Sequence, residues 1–362
     1  MKRVCISVIL IGIFLLSGCR YFPQPREMGD MALLRTIGID SIENGGVKLT
    51  ASTGPRAKGI QGEQQSSLCL SAQGESLSAA VLEAQRKSDS YLFLGYVDQI
   101  VLGERALGEL QTVLEWFASN EELSLGSKLW IVQENEAGTL IESGEDEGVE
   151  SRLSNLQKNG KLGFSTISRS AEETYIALKE TGCAYVPVLT IPEEASEWEN
   201  EGYAVLSRDG LVGFLKDQEA RGLELLAEKP MVEILEIPLS DRTVSVRVIQ
   251  AQLECKPVFD SRGLKELDVT SYVQIELVQQ GKKLSQQEWE QIQSSIAIQV
   301  NQRLQKTLAQ LKQWGTDCVG LRSRVALAAP WFWYTLREEW PALFSAVKVN
   351  TSTEVSLGFG KG

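Results

Sequence analysis

Chemistry in this chain has few residue types to draw on, because its 362 residues include no histidine. Serine–histidine and cysteine–histidine nucleophile pairs, the usual catalytic zinc sets and any switch built on imidazole are excluded. Carboxylates, lysines, tyrosines and six cysteines remain. One thiol stands apart. Leu16-Ser17-Gly18-Cys19 closes an uncharged, almost wholly apolar run, Val4 to Leu16, that follows Lys2 and Arg3. Such a run rises about 20 Å as a helix, short of a ~30 Å hydrocarbon core, and fits the apolar part of an export signal. The small Ser17-Gly18 pair admits a peptidase to the backbone, and the thiol is the nucleophile for a thioether bond. This is the pattern of a lipobox with Cys19 acylated. The plainer reading is a buried cysteine behind an ordinary signal peptide, and the position of Cys19 at the end of the apolar run favours the lipobox. Cleavage before Cys19 takes the net charge from −12 to −14 by removing Lys2 and Arg3. A diacylglyceryl group brings two chains, enough for stable anchoring where one is marginal.

The other candidates read as structural. Cys69, Cys183, Cys255 and Cys318 show no C-x-x-C spacing. Three disulfide pairings are open to them, but a chain this long builds a core without staples, so free buried thiols are expected. Two acidic stretches, 142–150 and 193–201, hold five carboxylates each, and neither has the order of a calcium loop. They read as solvated loops, and no metal or cofactor is expected. With 36 basic against 48 acidic residues, the chain lacks the charge of a nucleic-acid binder. Gly358 to Gly362 has no helix after it and is not a phosphate loop. Glu219 and Arg221 stand at i and i+2 and do not face each other on a helix, so each serves a separate contact. Arg221, a candidate interaction residue, adjoins Gly222, which suits close packing of its helix on a hairpin. Trp331-Phe332-Trp333-Tyr334 either fills space beside a long helix or forms a patch for a membrane interface or a partner. Packing is the favoured reading. Four consecutive rings cannot all point inward, however, so Trp331 and Trp333 are retained as interaction candidates.

The elements that must position these residues follow from periodicity. Leu33 to Asp40 runs into the turn signal Glu43-Asn44-Gly45-Gly46, after which Val47 and Leu49 alternate, so this reads as a hairpin, followed by a polar loop at 54–66 and a brief strand near 68–70. Ser76 caps a helix carrying Leu77, Val81 and Leu82. Tyr91 to Gly103 reads as one buried strand, Leu107 to Phe117 as a helix, and Leu129 to Val132 as a strand. Leu153 to Ala177 shows little pattern, and Ala184 to Ile191 is strand-like. Asp209-Gly210 marks a hairpin between 203–207 and 211–215, with Asp217 as the cap of the next helix. Val244, Val246 and Val248 alternate, then the phase slips so that Ile249, Ala251, Leu253 and Cys255 are apolar, which implies a bulge or a change of buried face. Val269 to Leu277 reads as another strand. Ser285-Gln286-Gln287-Glu288 is a capping box, and the apolar stripe from Trp289 to Leu311, ended by Gly315, predicts a long helix lying on a sheet. Val347 to Phe359 alternates as a last strand.

The expected class is α+β, with three mixed α/β domains, the C-terminal one a long helix packed on a mostly antiparallel sheet. The expected boundaries are a signal peptide at 1–18, a lipid tether at 19–30, and domains at 31–141, 142–230 and 231–362.

In this order the elements resemble the Ger(x)C family, the lipoprotein C subunits of spore germinant receptors. The resemblance rests on the lipobox with Glu27-Met28-Gly29-Asp30-Met31-Ala32 and Gly38-Ile39-Asp40. It continues through Leu92-Phe93-Leu94-Gly95 and Ile100-Val101-Leu102-Gly103-Glu104. Gly202-Tyr203-Ala204-Val205, Leu211 to Leu215 and Glu219-Ala220-Arg221-Gly222 carry it most specifically. Asp317-Cys318-Val319-Gly320, Trp340, Phe344 and the closing strand complete it. The chain departs from the family with Tyr96 where histidine is frequent, Ser119-Asn120 where Arg-Asp is frequent, and aromatic rings at 331–334 in a more charged segment. The resemblance implies three mixed α/β domains and a non-enzymatic subunit. Its partners would be a polytopic A subunit and a transporter-like B subunit at the spore inner membrane. The alternative is a solute-binding lipoprotein of a transporter, which requires two lobes of repeated βαβ units. A hydrolase would require two carboxyls ~5–9 Å apart in an apolar cleft.

Overall fold

The computed structural model describes residues 31–43, 45–58, 63–157, 166–190, 198–229, 233–261, 263–278 and 284–358. The signal peptide, Cys19, the tether, Glu27 to Asp30, most of the second acidic stretch, the 230/231 boundary and Phe359 to Gly362 lie outside the described residues.

The first half runs β1 (Met31–Leu33), β2 (Thr36–Ser41), β3 (Val47–Ser52), β4 (Arg56–Lys58), β5 (Glu63–Gln65), β6 (Cys69–Gly74), α1 (Leu77–Lys87), β7 (Tyr91–Phe93), β8 (Gln99–Gly103), α2 (Leu110–Ser119), β9 (Lys128–Val132), α3 (Ala137–Glu142), α4 (Glu150–Gln157) and α5 (Ala171–Thr181). Next come β10 (Cys183–Thr190), β11 (Glu199–Ser207), β12 (Gly210–Lys216) and α6 (Asp217–Leu226). The remainder is β13 (Ile234–Pro238), β14 (Thr243–Asp260), β15 (Gly263–Leu277), α7 (Gln286–Trp314), α8 (Leu321–Ala328), α9 (Pro330–Leu336), α10 (Trp340–Ala346) and β16 (Lys348–Leu357).

Two sheets organise these elements. The larger has eight strands in the order β12-β11-β10-β9-β8-β2-β3-β6. Its centre, β2, β8, β9 and β10, is parallel. Every residue of β8 is buried, as expected of a parallel strand covered on both faces. The second sheet, β13-β14-β15-β16, is antiparallel except for the β15–β16 pair. Helix α7, 29 residues and about 43 Å long, lies against it with Ile292, Ile296, Val300, Leu304, Leu308 and Leu311 buried. The expected long helix on a mostly antiparallel sheet is therefore present, and β16 closes that sheet.

Alternation along β10 and β11 joins the halves. Cys183, Tyr185, Tyr203 and Val205 face the C-terminal core, whereas Ala184, Val186, Ala204 and Leu206 face the N-terminal core on the other side of the strands. The hairpin β11–β12 therefore completes the first sheet while one of its faces packs on the second half. No sheet break falls at 141/142: β9 lies before it and β10 after it, and the two pair directly. Among the described residues the 142–230 segment thus supplies strands to the first sheet and forms no separate sheet.

Local signals held where one residue's chemistry decides. Ser76 accepts from the Ala79 N–H, Ser285 and Glu288 form a full capping box, and Gly315 ends α7 in the left-handed region. The slip in β14 is a register shift between Val248 and Gln250, which leaves Ile249 exposed and returns Ala251, Leu253 and Cys255 to the core. Other readings need correction. Tyr91 to Gly103 is broken by a 3₁₀ turn at Leu94–Tyr96, so β7 pairs with β1 and β8 joins the large sheet. Asp217 does not cap α6 with its side chain: it is the first helical residue, with φ 45°. Helix α5 begins inside the stretch read as patternless and runs past its end, although Ser170 and Glu173 form a full capping box at its start.

Candidate functional site

The two most telling carboxylates hold helices in place. Asp40, buried at the end of β2, accepts from the backbone N–H of Ala137 at 2.7 Å and of Gly138 at 2.9 Å, the start of α3. A Cβ at Gly103 would overlap its carboxylate, and one at Gly38 would lie 3.1 Å from the Ala137 methyl. The Gly38-Ile39-Asp40 and Ile100 to Glu104 motifs thus meet at one tertiary cap. Asp317 is the C-terminal counterpart. Its oxygens accept from Leu321 N at 2.9 Å, Arg322 N at 2.6 Å and Trp340 Nε1 at 3.1 Å, which fixes α8 and α10 together. Burial pushes both carboxyls above the ordinary aspartate range, against these donors.

The junction between the halves is a packed polar cluster. Tyr203 of β11 donates to Glu224 of α6 at 2.9 Å and accepts from Ile167 N at 3.0 Å. Arg221 pairs with Glu224 at 3.1 Å, one helical turn away, while Glu219 does not meet Arg221 and instead offers its backbone carbonyl to the Thr307 hydroxyl at 2.8 Å. Beside them Arg303 of α7 binds Glu233 through both oxygens at 2.6 and 2.9 Å. Gly222 packs against α7 and not against the hairpin: a Cβ there would overlap the Thr307 hydroxyl and lie 2.8 Å from the Arg303 carbonyl carbon.

Glu224 was not among the residues singled out by sequence. The signal was present, since it falls four residues after Ala220 and next to Leu223, on the buried face of α6. Burial pushes its carboxyl up to about 7, with Arg221 and Tyr203 pulling the other way. The unfolded carboxyl titrates near 4.5, so between these values the folded chain keeps a proton that the unfolded chain has lost. Stability should therefore fall, by about 3 kcal/mol, as pH rises from about 4.5 to beyond 7. Glu224→Gln should remove that component, as read from urea midpoints across the range. An identical slope in both proteins would show that Glu224 titrates normally.

The aromatic run divides. Trp333 packs into the C-terminal core and stacks edge-on with Trp340 at 5.5 Å. Trp331 is 88% exposed and Tyr334 74%, so packing, the favoured reading, describes Trp333 alone. Phe332 stacks on Phe259 of β14 at 4.5 Å. The structure places Trp331 and Trp333 in one helix, α9, and Arg221 at the separate α6–α7 junction, so the three interaction candidates do not form one site.

Among the described residues no group of three or more His, Cys, Asp or Glu side chains is placed to hold a metal, and the cysteines are unpaired. Cys69 is exposed, and Cys183, Cys255 and Cys318 are buried, all free thiols. Burial raises Cys183 and Cys255 to about 11 and Cys318 well above its usual value, which makes these three unreactive. A cavity of about 490 Å³ beside Gln99 and Lys128 opens at the N-terminal ends of β8 and β9, whereas ligands of parallel sheets sit at the C-terminal ends. The arrangement is suited to holding surfaces in register.

Comparison with known proteins agrees with this geometry. A family model described as spore germination protein N-terminal domain matches residues 24–191. One described as spore germination B3/GerAC like, C-terminal, matches residues 201–358. No curated protein matches the chain. Among solved structures, the crystal structure of the GerBC protein matches with a TM-score of 0.56 and 15% identity, covering 89% of this chain and 96% of its own, a likeness of fold. The two family models divide between β10 and β11, so the hairpin that completes the first sheet belongs by sequence to the second model. With both models covering nearly all of residues 24–358, the chain belongs to the Ger(x)C family of spore germination proteins.

Proposed function

We propose that the protein is the lipid-anchored, non-catalytic C subunit of a spore nutrient-germinant receptor. It is held at the spore inner membrane through Cys19 and acts by contact with integral-membrane A and B subunits. The observation that carries this reading is the use made of the family's motif residues. Asp40, Gly103, Gly222 and Asp317 all serve internal caps and close packing, which suits a rigid docking body. No described helix is long and apolar enough to cross a membrane, so membrane attachment in this reading rests on the Cys19 lipid. Among the described residues the C-terminal half, a long β14–β15 hairpin crossed by α7, offers no repeated βαβ lobe for a solute-binding lipoprotein.

Cys19→Ala tests the anchor. The wild-type protein should stay with the membrane through a high-salt wash, and the variant should be released into the soluble fraction. A variant that remains fully bound after the wash, in cells lacking its partners, contradicts lipid anchoring.

A further inference from the structure

We propose that β16 is the joint of a two-fold dimer, in which the same strand of a second copy of this chain pairs antiparallel with it and makes the C-terminal sheet continuous across both. The proposal goes beyond the anchored-subunit reading and does not draw on it. β16 is the last strand of its sheet and is bonded on one side to β15. Gly358 N–H donates to the Ile275 carbonyl at 2.8 Å, so the even-numbered residues of β16 turn their backbone groups to β15 and the odd-numbered ones turn theirs outward. Among the described residues no backbone group outside the sheet pairs with Val349, Thr351 or Thr353. Val355 differs: its outward carbonyl accepts from Gln293 of α7 at 2.7 Å, which closes the edge there.

The sheet's other side is protected. β13 covers the first residues of β14 and ends at Pro238. Beyond it the Leu253 N–H donates to Glu228 at 2.6 Å, the Leu253 carbonyl accepts from Arg324 at 2.7 Å, and Pro257 has no N–H to offer. These side chains and prolines block strand addition on that side. Between Val349 and Thr353 the described residues hold no such device.

Charge selects the occupant and the register. Lys348 and Glu354 are the only charged residues of β16, and Thr351 lies midway between them. A two-fold axis at Thr351 sets Val349 opposite the second copy's Thr353 and Thr351 opposite itself, so every outward N–H and C=O in this stretch finds a partner. The same axis sets Lys348 of each copy opposite Glu354 of the other, on the face away from α7. Both side chains are exposed, and Glu354 makes no ion pair among the described residues. Lys348 lies 3.5 Å from Glu266, a contact it can leave because Asn350 at 3.3 Å and Lys265 at 3.6 Å also hold that carboxylate. For a second copy the match follows from symmetry; for an unrelated strand it would be coincidence.

The test uses residues 19–362 with Cys19→Ser, which keep every described residue, sedimented over a range of concentrations in reductant because Cys69 is exposed. A reversible dimer is expected. Lys348→Glu and Glu354→Lys each set like charges opposite one another at both ends of the joint, and each should weaken the dimer about tenfold or more. Unchanged urea midpoints would show that neither surface change disturbs the fold. Mixed in equal amounts, the two variants should form a heterodimer about as tight as the parent's dimer, because opposite charges then face each other at both ends. A monomer at every concentration, a dimer indifferent to either charge, or a mixture no tighter than the separate variants would each overturn the proposal. Slow hydrogen exchange at Thr351 and Thr353 in a monomer would also overturn it, by showing that another segment of the chain covers the edge.

Discussion

Replacing Gly222 with valine should destabilise the protein by about 3 kcal/mol, through overpacking at the contact that joins its halves. At this point α6 and α7 touch backbone to backbone. The space that a Cβ would take is already occupied by the Thr307 hydroxyl and the Arg303 carbonyl. Thr307 cannot swing away freely, because its hydroxyl donates to Glu219 O at 2.8 Å and contacts Arg303 O at 3.0 Å. Relief requires α6 to move off α7, which would also pull Glu224 from Tyr203 and disturb Arg303 beside Glu233. The urea midpoint should fall, and protection of the α6 amides from hydrogen exchange should fall with it. An unchanged midpoint would mean that the helices do not approach this closely.

Asp317→Ala should cost a comparable amount, about 3 kcal/mol or more. Three donors converge on this buried carboxylate, and two of them are backbone N–H groups at the start of α8 that have no intrahelical acceptor. The third, Trp340 Nε1, opens α10, so one deletion loosens α8 against β14 and α10 against α7. Asp317→Asn keeps one carbonyl acceptor and should lose less. Equal losses for Ala and Asn, measured by denaturant unfolding, would mean that charge and not hydrogen-bond acceptance holds the corner.

Both residues belonged to motifs visible in the sequence, yet only part of their role could be read there. Signals confined to a few neighbouring residues were legible: the Ser285 box, the Asp209-Gly210 hairpin, the slip at Ile249 and the stripe of α7. Each is fixed by local backbone chemistry or by one buried face. Contacts between distant segments were not. The pairing of β9 with β10 rests on two residue pairs, Val188 with Ile131 and Leu189 with Val132, and nothing local announces it. For that reason 142–230 read as a module apart. Asp40 caps a helix nearly a hundred residues downstream, so its role emerges only when β2 and α3 come together. Helix α5 was missed for another reason: its capping box was plain, but its apolar face is thin, with Ala171, Thr174 and Leu178 buried. Gly222 was recognised as a close-packing residue, and the neighbour was mistaken because the helix that covers it lies some eighty residues further on.

The same division applies to the surface. That not all four rings at 331–334 point inward was foreseeable from crowding, whereas the assignment of Trp333 to the core depended on where Trp340 falls. Glu224 is the clearest omission. A carboxylate on the apolar face of a short amphipathic helix requires a partner, and here Tyr203 and Arg221 supply it at the joint between the two sheets.

Affinity capture of the chain from detergent-solubilised spore membranes, followed by mass spectrometry, bears most directly on its role as a tethered docking subunit. Two integral-membrane proteins should co-elute, and the chain's N-terminal peptide should begin at a diacylglyceryl-modified Cys19. A chain recovered alone from the aqueous fraction, with Lys2 and Arg3 still attached, would contradict it.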